Sequence, residues 1–144
     1  MLDWNQLHHK LGTVSNRHSQ LAAKFQSFAK YVEEQVTAPT FHIKGISVSL
    51  HLEDGYFTTA FAGRALRFSF SSALSENGSL VGIVTCVLTK DFPEKLFVPV
   101  GEFAFSGNGK TNLVAPDDDD SIIIDNDIPA LYVALNFIHE SLSK

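Results

Sequence analysis

The apolar positions of the first part of the chain fall in steps of three and four. Trp4, Leu7, Leu11, Val14, His18, Leu21, Phe25, Phe28 and Val32 keep that phase without a slip, and eight of these nine are apolar. Side chains three and four apart share a helix face, so the spacing predicts one helix with a single apolar seam. Its start is written locally. Asp3 can accept from the free amides of the first turn, Gln6 completes a capping box, and Leu2 and Leu7 are placed as a hydrophobic staple. Pro39 disfavours helical geometry at Ala38 and stops the run. The helix is expected from roughly Trp4 to Thr37, ~50 Å long at 1.5 Å per residue. A compact domain of this size is about 38 Å across, so a straight helix overhangs it by about two turns. Apolar surface beyond the domain needs cover, and the seam is read as a self-association surface with a second copy of the chain. Lys10, Arg17 and Lys24 recur every seven residues beside it, as flanking positions that select partner and orientation. Residues 12–16, Gly-Thr-Val-Ser-Asn, together cost ~3 kcal/mol of helix propensity relative to alanine and are the place for a bend. The phase runs through them unchanged, which favours a continuous helix. His18 is the one polar step of the seam, where a histidine can fix register or weaken an apolar contact when protonated.

After Thr40 the period changes to two. Ile46, Val48, Leu50 and Leu52 alternate with Ser47, Ser49 and His51, as in a half-buried strand. Phe41 and Ile43 lie on the opposite parity, so a bulge is expected at Gly45. Glu53-Asp54-Gly55 is a hairpin turn signal, followed by a strand over 56–62 and a third carrying Leu66, Phe68 and Phe70. Asn77-Gly78 is the strongest turn signal in the chain. Residues 80–89 are apolar on both parities, which places this fourth strand at the centre of the sheet. Phe92-Pro93 breaks it. Two short strands are expected around Gly101, over 96–100 and 102–106, then a turn at Gly107-Asn108-Gly109 and an edge strand over 122–124. The last element reads as a helix, with Asp127 as its N-cap, Pro129 in the first turn and an apolar stripe of Ile128, Leu131, Leu135, Ile138 and Leu142. The expected fold is a single α+β domain: a long helix over 3–37, an antiparallel meander of about five to six strands over 41–115, an acidic loop over 116–127 and a helix over 128–143. Both helices pack on one face of the sheet.

Charge changes this picture in one segment. Residues 1–116 hold nine acids and ten bases, while residues 117–144 hold seven acids and only Lys144, a balance of −6 within a net charge of −5. The core of the acidity is Asp117, Asp118, Asp119, Asp120, Asp125 and Asp127. Negative charge argues against a general nucleic-acid binder, which needs a basic footprint to release counterions. The aspartates suit a docking surface for a partner with a basic surface, or an acidic mimic that blocks a nucleic-acid-binding protein. One cysteine excludes an internal disulfide and a multi-cysteine zinc site, and suits a reducing compartment, the cytoplasm. No stretch approaches the ~20 apolar residues of a membrane span.

The motifs that imitate chemistry fail on detail. Gly107-Asn108-Gly109-Lys110-Thr111 ends like a phosphate-binding loop, but Ala104 stands where the leading glycine belongs, and Pro116 and four aspartates follow where a helix should. A calcium loop starting at Asp117 would need glycine and glutamate where the chain has Ile122 and Ile128. The six histidines make no metal pattern: His8 and His9 point to different helix faces, His42 and His51 lack a third ligand, and His139-Glu140 lacks the second histidine of a zinc protease. Cys86 sits in the most apolar strand, ~13 Å along the chain from Lys90, as a small buried hydrophobe rather than a nucleophile. No catalytic residue, metal or cofactor is expected. The chain reads as a non-catalytic protein-protein interaction module, a small acidic homodimer resembling in size and charge the chaperone-like adaptors and inhibitor proteins. The alternative is a small enzyme or ligand-binding protein with a pocket between the helices and a curved sheet.

Overall fold

The computed structural model describes every residue except Phe92, so the expected role of Phe92 in ending the fourth strand lies outside the described residues. Helix α1 runs unbroken over Trp4–Thr37. The Asp3 carboxylate accepts from the Gln6 amide at 2.8 Å, and the Gln6 side chain accepts from the Asp3 amide at 3.3 Å, so the capping box forms at both ends. The stretch of poor helix formers does not break it. Thr13 and Ser19 turn their hydroxyls back onto the carbonyls of His9 and Ser15, at 3.1 and 3.2 Å, four residues earlier. Ala38 leaves the helix extended, as a residue before proline must.

The sheet has seven strands: β1 (Ser47–His51), β2 (Tyr56–Phe61), β3 (Arg64–Leu74), β4 (Leu80–Lys90), β5 (Leu96–Phe105), β6 (Lys110–Val114) and β7 (Ser121–Ile123). They lie side by side in chain order, each antiparallel to the last, so β4 is central. The expectation of five to six strands is short because β6 pairs both β5 and β7. The two short strands around Gly101 are one strand: β5 passes from Val87↔Pro99 to Cys86↔Gly101, and the extra residue between them is a bulge. Gly45, at φ +88°, belongs to the loop before β1 and makes no bulge, so Phe41 and Ile43 lie outside the sheet. The β2–β3 connection is Ala62-Gly63, both with positive φ, the geometry of a tight hairpin turn.

Helix α2 spans Asp127–Ser141 and starts one residue away from the expected cap. Asn126 is the N-cap, and the Asp127 carboxylate accepts from the neighbouring Ile128 amide instead. Its buried face is also different. Ala130, Val133, Ala134, Ile138 and Ser141 face inward, while Ile128 and Leu142 of the expected stripe are exposed. Small residues let the helix approach closely enough for Phe137 to lie over Gly101, where a Cβ would crowd its ring. At the far end Arg64 donates to the Ser141 carbonyl at 2.9 Å, satisfying a free acceptor of the last turn.

Both helices cover one face of the sheet, and phenylalanines fill the space between. Inward positions of β4 (Leu80, Gly82, Val84, Cys86, Leu88) are buried in strict alternation. Phe57 and Phe68 are cross-strand partners whose rings stack at 4.7 Å. Phe28 of α1 meets Phe57, Phe68 and Phe103 edge-on at 5.5, 6.4 and 5.9 Å, and Phe137 closes the group from α2. Each such pair adds about 0.5–1.5 kcal/mol to the burial itself.

Candidate functional site

The apolar seam of α1 divides in two. Leu21, Phe25, Phe28 and Val32 are fully buried against the chain's own sheet, so the expected self-association seam is corrected over its second half. His18 is also held within the chain: its Nδ1 lies 2.6 Å from the Ser72 hydroxyl, with its ring 5.2 Å from that of Phe70. Val14 is half-buried and packs on the edge of the core. Only Trp4, Leu7 and Leu11 stand free, at 72, 38 and 57% exposure. Residues 4–13 are all exposed, an arm ~15 Å long that leaves the body of the domain. The apolar surface that α1 carries beyond the domain is thus confined to its first three turns, shorter than the length of the helix predicts.

The flank divides the same way. Lys10 is exposed on the arm. Arg17 reaches Gly107 on the turn between β5 and β6, with a guanidinium nitrogen 3.7 Å from where a Cβ would be. Lys24 pairs with Asp125 at 2.6 Å. Asp125 thus does not share the exposure of the acidic loop: it is half-buried beside Gly109 and fixes the segment before α2 to α1.

Asp117, Asp118, Asp119 and Asp120 are exposed. The run is a turn, with Asp117 at φ +63° and the Asp118 carboxylate accepting from the Asp120 amide at 3.1 Å. It borders a groove that the sequence reading missed. One part, of about 250 Å³, lies between α2 and β6 and is lined by Leu113, Tyr132 and Phe137, with Glu140 at its rim. A second part, of about 560 Å³, is lined by Ile123, Ile128, Asp118 and Asp120. Pro116, Ile122 and Tyr132 belong to both, which makes them two ends of one groove. Ile128, 71% exposed, and Tyr132, 40% exposed, form its outer lip on α2. The available signal was the run of small residues at 130 and 134, which marks the inward face of α2 and so turns Ile128 and Tyr132 outward.

The remaining candidates resolve as structure. The Gly-Lys-Thr segment is a β-hairpin turn leading into β6; Lys110 is exposed, and buried Thr111 donates to the Ile122 carbonyl at 2.7 Å. Cys86 is buried at the centre of the sheet, and burial pushes its thiol up to about 12. Among the described residues no three His, Cys, Asp or Glu side chains are grouped so as to hold a metal ion, and no helix is long and apolar enough to cross a membrane. No family model matches the chain, and neither do the curated proteins or solved structures compared with it.

Proposed function

We propose that this chain is a non-catalytic protein-protein interaction module, an acidic homodimeric adaptor or inhibitor that associates with itself through the arm of α1. The observation that carries the reading is the arm: three large apolar side chains on one helix face, held away from a core that phenylalanines already fill. Isolated exposed leucines are ordinary, but three large apolar side chains together on one helix face of a small monomer mark a contact surface. The four aspartates beside the groove give the same molecule a charged surface for a protein partner with basic side chains, the steering role that dense exposed charge performs. A chaperone-like adaptor and an inhibitor both fit this arrangement, and partner identity separates them.

Trp4 is the only tryptophan of the chain, which makes its fluorescence a direct report on the arm. Its emission should be blue-shifted and shielded from acrylamide at high protein concentration, and become freely quenchable on dilution. Full quenching at every concentration would mean that the arm stays in water and that the self-association reading is wrong.

A further inference from the structure

We infer that the groove between α2 and the β6–β7 edge is the seat for the arm of a second copy, so that the dimer closes by reciprocal arm-in-groove exchange. This rests on the self-association reading above and specifies its geometry. The arm presents Trp4, Leu7 and Leu11 at positions i, i+3 and i+7, the anchor spacing of a helix laid in an apolar groove. The groove offers Ile122, Ile128, Tyr132 and Phe137 along its length.

Charge chooses between this arrangement and the side-by-side pairing of two arms. Residues 4–13 contain no acid; they carry His8, His9 and Lys10, and Arg17 follows. Two arms paired in parallel would bring their Lys10 side chains together, with no acid nearer in the chain than Asp3. The groove instead is rimmed by Asp118, Asp120 and Glu140, with Asp117, Asp119 and Asp127 nearby. An amphipathic arm whose one charge between residues 4 and 13 is Lys10 complements an acid-rimmed apolar groove, and two Lys10 side chains across a parallel contact do not complement each other.

Topology supplies the reach. Arg17 meets the β5–β6 turn at Gly107, and Lys24 meets Asp125 just before α2, so the arm leaves the domain near the end at which the groove begins. Because α1 is continuous, the arm cannot fold back into its own groove, and a two-fold axis beside its root lays each arm on the other copy. Area points the same way. A ten-residue arm carrying a tryptophan buries roughly 600–800 Å² with a groove, and two reciprocal contacts give about 1,200–1,600 Å², within the range of stable interfaces. Two arms side by side form one such contact.

The test is sedimentation velocity of the full chain beside three variants at exposed positions: Leu7→Asp with Leu11→Asp on the arm, Ile128→Asp with Tyr132→Asp on the groove, and Lys10→Glu. Circular dichroism confirms that each is folded, and a groove variant that fails to fold is replaced by Asp118→Lys with Asp120→Lys. The arm and groove variants should both sediment as monomers. Lys10→Glu should weaken dimerisation about tenfold, and Asp118→Lys with Asp120→Lys in the same chain should restore it. If the arm variant is monomeric while groove variants dimerise like the wild type, the arms pair with each other: the exchange is wrong and the self-association reading stands. A monomeric wild type overturns both.

Discussion

At the scale of single residues, two buried groups have measurable consequences. Thr59 faces the core from β2 at 1% exposure, and its hydroxyl is buried with no hydrogen-bond partner among the described residues. An unsatisfied buried hydroxyl costs about 1–3 kcal/mol, and valine has nearly the same shape. Thr59→Val is therefore expected to stabilise the fold by about 1 kcal/mol, read as a raised urea midpoint with an unchanged slope. Cys86 gives a pH dependence. Burial raises its thiol from 9.0 to about 12, so the folded chain holds a proton that the unfolded chain releases above pH 9. Its contribution is complete below pH 9 and is lost as pH rises towards 12, at about 1.4 kcal/mol per pH unit. Stability measured between pH 9 and 10.5 should fall more steeply for the wild type than for Cys86→Ala, which lacks this group. Equal slopes would show that the thiol ionises in the folded chain as it does in water. The burial of Cys86 was readable from its apolar strand, whereas the orphaned Thr59 hydroxyl was not, because its isolation depends on which groups other elements place around it.

At the scale of elements, signals held in adjacent residues were legible and signals that depend on a distant partner were not. The limits of α1 follow from Asp3, Gln6 and Pro39, all neighbours of the ends they define, and the structure reproduces them. The turns at Gly55, Gly78 and Gly109 were legible for the same reason: each glycine has the positive φ that its turn requires. Periodicity also identified the seam of α1, but it reports that a face is to be buried and not what buries it. The division at His18 is set by where β3 places Ser72 and Phe70. In α2, weight given to large aliphatic residues pointed to Ile128 and Leu142, whereas close packing on the sheet selects Ala130 and Ala134. The bulge in β5 broke the alternation that would have joined its two halves. The arm itself has a weak position at Gly12, which is exposed and has open space around it. Gly12→Ala should add about 0.5–1 kcal/mol to helix stability there, seen as slower amide exchange over residues 4–13 with the core unchanged.

At the scale of the whole molecule, the buried core and the exposed apolar and acidic features occupy different parts of the chain. One end of α1 and the inner face of the sheet make a filled core, while the other end of α1, the acidic loop and the groove on α2 lie outside it. The segregation of charge into the last part of the chain was visible in composition. The groove was not, because it exists only where β6, β7 and α2 meet. The central claim is that the exposed apolar arm makes this chain a dimer. Light scattering coupled to size exclusion tests it most directly, because it reads mass without reference to shape. The account predicts twice the chain mass of 15.8 kDa at high concentration for the wild type, and 15.8 kDa for Leu7→Asp with Leu11→Asp. A wild-type mass of 15.8 kDa across the whole concentration range would contradict it.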